Sequence, residues 1–134
     1  MLEAFLVPPK TRVSSKGDSA ALDLSGAAHR VLLVVLRITD AVEQESLDLT
    51  LWGSADGAAW TAKPVAVFPQ KFYVGETPML LDLTDLPDVK HLRAHWEVSR
   101  WGRGDVTPMF EFQVAMREVP AEMLREGRPA VVSS

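Results

Sequence analysis

Ser46-Leu47-Asp48-Leu49-Thr50-Leu51-Trp52 places a leucine at 47, 49 and 51 and a polar side chain at 46, 48 and 50. Successive side chains of a β-strand point to opposite faces, so this run has one greasy side and one wet side. An amphipathic helix would need a period of 3.6, which it lacks. Phe110-Glu111-Phe112-Gln113-Val114-Ala115-Met116-Arg117 repeats the alternation, with Phe110, Phe112, Val114 and Met116 together. Met79-Leu80-Leu81-Asp82-Leu83-Thr84 does so again and runs into the turn-rich Asp85-Leu86-Pro87-Asp88. From His91 to Ser99 the even residues are apolar and the odd ones polar. Four segments therefore read as strands with one solvated face.

Val31 to Ile38 differs. Leu32, Val34, Leu36 and Ile38 share one side, and the other side is also apolar, with Val31, Leu33 and Val35. Such a run suits a strand covered on both faces. A covering loop is the first expectation; the apolar N-terminal segment or another subunit are the alternatives. Gly53-Ser54-Ala55-Asp56-Gly57 is a hairpin signal before Trp60-Thr61-Ala62, because Asp and Gly tolerate positive φ. Val65 to Phe68, bracketed by Pro64 and Pro69, suits an edge strand, and Leu22 to Gly26 adds a short one near the start. The pattern predicts an all-β chain: an antiparallel, jelly-roll-like β-sandwich of 7–8 strands. Its expected divisions are an extended N-terminal arm over residues 1–20, which either folds back as an added strand on its own domain or adds to a neighbour's sheet edge, the sandwich over 21–119, and a C-terminal segment over 120–134. At most one short helix is expected, over Pro120 to Glu126 with Gly127 as its stop.

The 134 residues make one domain, and 47% hydrophobic with 24% charged residues is ordinary globular composition. The longest apolar run, Val31 to Leu36, is far short of the roughly 20 residues that cross a bilayer, so no membrane association is expected. The first residues lack a basic stretch, so a secretory signal is not expected; the reading is synthesis in the cytoplasm, with a virion or other particle as a destination. There is no cysteine, hence no disulfide and no thiolate ligand. A net charge of −4 argues against a protein built to neutralise phosphates, and Trp96 of the basic stretch 90–104 falls on an apolar face, so no nucleic-acid partner is expected.

The hairpin Trp52-Gly53-Ser54-Ala55-Asp56-Gly57-Ala58-Ala59-Trp60 resembles the S-x-D-G-x-x-W hairpin of discoidin-type, galactose-binding-like jelly rolls. Phe72, Gly75-Glu76-Thr77, the strand from Leu80 to Leu83 and Leu92-Arg93 follow in an order similar to that family's later elements, over roughly residues 20–118. The resemblance implies a non-catalytic module that binds sugars or lipids through loops at one end. Ligand candidates on that reading are Trp52, Asp56, Trp101, Arg103 and Asp105, in the loops 53–59 and 100–107. The paired cysteines many such domains carry are absent. A short, cysteine-free sandwich with arms also looks like small bacterial or phage structural proteins.

Catalytic and metal-binding constellations are weak. His91 and His95 are four residues apart on a strand, about 13 Å at the backbone, too far to share an ion; His95 with Glu97 would need a third ligand from a neighbouring strand. Ser54 is not in a nucleophile elbow, since the surrounding pattern is strand-turn-strand. Asp23, Asp48 and Asp82 are outward carboxylates in alternating strands, and no phosphate-binding glycine motif exists. Neither an enzyme nor a cofactor or metal is expected. Arg103-Gly104-Asp105 reads as a turn.

Two features point instead to self-association. Asp40, Glu43, Glu45, Asp48 and Asp56 lie in a stretch without Lys or Arg, whereas Lys90, Arg93, Arg100 and Arg103 face Glu97 alone over 90–104. Opposed charges of this kind either steer association between molecules or lie on neighbouring strands within one. Leu2, Phe5, Leu6 and Val7 form an apolar segment before the stiff Pro8-Pro9, and with Val31, Leu33 and Val35 they exceed what a lone sandwich needs. The expected interface therefore comprises Leu2, Phe5, Leu6, Val7, Val31, Leu33, Val35, Glu43, Glu45, Asp48, Arg93, Arg100 and Arg103. The expected function is a non-enzymatic structural subunit, partnered by itself through arm exchange, edge pairing and charge contact. Other structural subunits or a glycan are further partners. A carbohydrate- or ligand-binding module is the alternative, and a hydrolase the third.

Overall fold

A computed structural model describes residues 2–101 and 107–120. Long alternating runs become the long strands β1 (Glu3–Val13), β4 (Val31–Ala41), β5 (Glu45–Ser54), β7 (Gly75–Asp82), β8 (His91–Arg100) and β9 (Phe110–Glu118). Three two-residue strands, β2 (Gly17–Asp18), β3 (Leu22–Asp23) and β6 (Ala66–Val67), complete the described set. One sheet has the order β1-β9-β4-β7; the other has β2-β8-β5-β6, with β3 also on β8, and every pairing is antiparallel. Counting β2 and β3 as one interrupted strand gives eight, in the orders 1-8-3-6 and 2-7-4-5, the double Greek key of a jelly roll.

The alternation does what the pattern requires. Leu32, Val34, Leu36 and Ile38 of β4 and Phe110, Phe112, Val114 and Met116 of β9 face Leu47, Leu49 and Leu51 of β5 and Leu92, Ala94 and Trp96 of β8, all buried. Trp96 meets Phe112 edge-on, with centroids 5.5 Å apart, joining the two sheets at mid-core.

The N-terminal segment departs from the expected arm. Residues 3–13 are an edge strand of the first sheet, paired with β9 of the same chain. An extra residue between Phe5 and Val7 relative to β9 forms a bulge, which turns Leu6 and Val7 both inward to full burial. They are core residues, not interface. Pro8 and Pro9 fall in a second irregularity, where Lys10 takes φ 64 and Thr11 Oγ1 donates to the Pro8 carbonyl at 2.7 Å. The ladder to β9 is already interrupted there, which is where a strand tolerates proline. Trp60 forms only an isolated bridge with Ser54, so the segment after the hairpin is not a strand. The expected C-terminal helix, Pro120 aside, lies outside the described residues.

Candidate interaction surfaces

Of the two arrangements open to the charged segments, contact between molecules or neighbouring strands within one, the strand order supplies the second. β5 runs antiparallel to β8, setting Glu45 opposite Arg100, Asp48 opposite Glu97 and Trp52 opposite Arg93. Side-chain partners of the basic segment on this sheet include Asp18, Trp60 and its own Glu97. Arg93 lies 4.4 Å over the Trp60 ring and 3.8 Å from Asp18, and His95 sits between Asp18 at 2.9 Å and Glu97 at 3.3 Å. No group of three or more potential metal ligands occurs among the described residues.

Glu45 is not a surface acid. It is fully buried, and its carboxylate accepts from the Val42 N–H at 2.7 Å and the Met109 N–H at 2.8 Å, tying the β4–β5 turn to the approach to β9. Glu118, a residue that the sequence reading passed over, is its counterpart at the other end. Its buried carboxylate accepts from the backbone N–H of Leu2, from the N–H groups of Ala28 and His29 at 3.0 Å, and from His29 Nδ1 at 2.6 Å. The Leu2 amide foremost, then His29, hold its carboxyl down at about 2. Both acids fall in phase with the apolar residues of their strands, Glu45 with Leu47 and Glu118 with Met116. An acid in that phase must be buried and hydrogen-bonded.

The hairpin is braced internally. Ser54 Oγ accepts from the Gly57 N–H at 2.8 Å and donates to the Ala59 carbonyl at 2.6 Å, with Gly57 at φ 83. Asp56 Oδ1 accepts from Ala59 at 2.9 Å and Ala58 at 2.8 Å, and these amides lower its carboxyl to about 2. Trp52 is half-buried and donates from Nε1 to Thr50 Oγ1 at 3.0 Å. Because Ser54 pairs with His91 and Glu45 with Arg100, this hairpin and Trp101 stand at opposite ends of the sandwich, about 30 Å apart at the rise of a strand. Trp52 and Asp56 therefore do not share a site with Trp101; Arg103 and Asp105 lie outside the described residues.

Two surfaces remain unexplained by internal contacts. The first is the outer face of the sheet β1-β9-β4-β7. In one row Phe5 lies beside Ala115, Ala115 beside Val35 and Val35 beside Pro78; in the next, Glu3, Arg117, Leu33 and Leu80 align. Phe5 is 49% and Leu80 41% exposed. Phe5, Leu33 and Val35, with Glu3 and Arg117, wall a hollow of about 400 Å³ over Ala115. Among the described residues its lining comes from the sheet's own strands, and no described loop covers Leu33 and Val35 as expected.

The second is an aromatic cluster at one end. Leu47 and Lys71 exchange backbone hydrogen bonds at 2.8 and 3.0 Å, and the Trp101 N–H donates to the Gln44 carbonyl at 3.0 Å, so the loops after β4, β6 and β8 converge. Phe72 meets Trp101 edge-on with centroids 5.9 Å apart and Tyr73 at 6.2 Å. Tyr73 is 80% and Trp101 58% exposed, and the cluster borders a hollow of about 650 Å³ that Glu43 and Gln44 also line.

No known protein family, curated protein or solved structure matches the chain. Among the described residues no helix is long and apolar enough to cross a membrane.

Proposed function

We propose that this protein is a non-enzymatic structural subunit that self-assembles into a larger complex. The observation that carries the reading is the outer face of the β1-β9-β4-β7 sheet, whose Phe5, Leu33, Val35, Ala115 and Leu80 form an apolar band across four strands. A contiguous patch of that kind marks a contact surface. The sheet edges favour the face over edge pairing as the route. β1 carries Pro8 and Pro9 and two irregularities, β7 carries Pro78, and the outer strands of the other sheet are two residues long. Prolines, bulges and short edges oppose strand addition. Glu45, Ser54 and Glu118, the buried polar side chains best placed for chemistry, are taken up with holding backbone amides.

Sedimentation of the purified protein across micromolar concentrations tests this reading. A concentration-dependent species larger than the monomer is expected, and a compact monomer throughout would remove it.

A second reading, a carbohydrate-binding module, is favoured by one observation: the exposed Trp101 and Tyr73 beside the Glu43 carboxylate and Gln44 amide. Aromatic faces stack on sugar rings while carboxylates and amides accept from hydroxyls. A glycan array tests it; specific binding lost in Trp101→Ala supports this reading, and no binding removes it.

A further inference from the structure

We propose that the aromatic end of the sandwich binds an alkylated ammonium group, of the trimethylammonium kind. The inference goes beyond the assembly reading and does not depend on it.

The rings form a corner. Phe72 and Tyr73 stand on the connection between β6 and β7, and Trp101 directly follows β8. Phe72 makes an interplanar angle of 72° with Trp101 and 52° with Tyr73, so the ring faces look in different directions. A pyranose lies flat on one ring, whereas a compact cation is held by ring faces that meet at an angle, as in aromatic cages. Tyr73 and Trp101 keep most of their surface in water, which leaves those faces open to a ligand.

The charge lining the hollow is of one sign. Its volume of about 650 Å³ is in the range of small-molecule sites. Its lining holds two carboxylates, Glu43 and Glu45, and no Lys, Arg or His among the described residues. Glu45 is occupied with the Val42 and Met109 amides, but Glu43 is exposed and bonded to no described group. Lys71 lines instead a separate, smaller hollow that Phe72, Tyr73 and Val74 also border. A carboxylate beside ring faces attracts a cation doubly and repels an anion. A bare ammonium holds its hydration strongly, whereas alkyl groups on the nitrogen present an apolar, positively charged surface that rings desolvate readily.

The site is set before anything binds. The Trp101 N–H donates to the Gln44 carbonyl at 3.0 Å, and Leu47 and Lys71 exchange backbone bonds at 2.8 and 3.0 Å. The loops that carry the rings and Glu43 are thereby pinned to one another, and little ordering accompanies binding.

Choline and an uncharged alcohol of the same shape, with carbon in place of nitrogen, are titrated into the full chain and followed by the Trp101 and Tyr73 resonances. Choline should bind at least about tenfold more tightly than the alcohol. Trp101→Ala and Tyr73→Leu should each weaken choline at least about fivefold, and Glu43→Gln should weaken choline while leaving the alcohol unchanged. All three side chains are exposed, and circular dichroism checks that each variant keeps its fold. Such a group comes from a methylated lysine or from phosphocholine. N-trimethyllysine should bind more tightly than glycerophosphocholine, whose phosphate meets the Glu43 carboxylate; the reverse order makes phosphocholine the source and keeps the cation site. Equal affinity for choline and the alcohol, no binding of either, or choline binding unmoved by all three substitutions overturns the proposal. A sugar whose binding is lost in Trp101→Ala, with no binding of choline, overturns it in favour of the carbohydrate reading. Sedimentation reports on assembly alone, so a monomer at every concentration removes that reading and leaves this one standing.

Discussion

The two sheets turn opposite kinds of outer face to solvent. On β5 and β8 the outward positions are Asp48, Thr50, Trp52, Arg93, His95 and Glu97, and they pair among themselves and with Asp18 and Trp60. On β4, β7 and β9 the same outward phase holds Leu33, Val35, Leu80 and Ala115. The backbone architecture does not distinguish the two faces, since both are antiparallel ladders over one shared core. Side-chain chemistry does. Water solvates the first face as it stands, whereas the second exposes apolar area among the described residues. On the proposed reading stability and association are separable, one carried by the inner layer and the charged face, the other by the apolar face.

The largest expected effect tests the shared core. Phe112→Ala removes a fully buried ring that packs edge-on to Trp96 across the sheets, and should lower stability by about 3–5 kcal/mol in denaturant unfolding. Both outer faces should then fail together. A loss below about 1 kcal/mol would mean that the sheets are not joined through this contact.

Next comes a pair of matched charges. Leu33→Glu puts a carboxylate on the apolar face, where association would strip its water. Burying an unpaired charge costs several kcal/mol, so the dissociation constant should rise at least about 100-fold, or about 2.7 kcal/mol. Thr50→Glu, in the corresponding outward phase of β5, should leave it unchanged. Sedimentation equilibrium on both variants decides the comparison; equal effects would erase the distinction between the faces.

Much of this was legible in periodicity. The alternation of β5, β8 and β9 states which side chains face the core, and the doubly apolar Val31–Ile38 run does mark the strand whose outer side stays greasy. What was not legible depends on which strands neighbour one another. That β1 pairs with β9, more than a hundred residues away, turns an apparent arm into a sheet edge, and no local pattern carries that information. That β5 pairs with β8 decides between the two readings that the acidic and basic segments allowed, in favour of neighbours within the chain. The aromatic end was half visible: Trp101 stood out, but its meeting with Phe72 and Tyr73 needs three loops to share one end. Glu45 and Glu118 were readable in principle, being acids in phase with leucine and methionine, although their amide partners were not.

Acid should loosen the tie between Glu118 and the start of β1. Glu118 holds the Leu2 amide beside the start of β1, and its carboxyl is depressed from 4.5 to about 2. A depressed acid contributes stability that is complete above its unfolded value and lost as pH falls through the folded one. Unfolding midpoints should therefore stay level down to about pH 5 and decline between about 4.5 and 2. Glu118→Gln should show a lower but flatter profile there, the remaining slope coming from Asp56, also held at about 2, and from Asp23, Asp82 and Glu111, which are lowered too. An unchanged slope would place the acid sensitivity elsewhere.

The smallest effect belongs to the charged face and is the most diagnostic of its self-sufficiency. Arg93→Ala removes the guanidinium stacked on Trp60 at 4.4 Å and its ion pair with Asp18 at 3.8 Å. A part-exposed cation–π contact is worth about 0.5–1 kcal/mol, and the ion pair, half in solvent and longer than a hydrogen bond, adds little. Stability should fall by about 0.5–1 kcal/mol, less at high salt, while the sedimentation profile stays that of the unmodified protein. Arg93 was an expected interface residue, which makes this the sharpest contrast with Leu33: one variant should change the fold's stability without its association, the other its association with little change in stability. If Arg93→Ala dissolved the larger species instead, the charged face would be a contact surface after all, and its internal pairing would be a feature of the isolated chain.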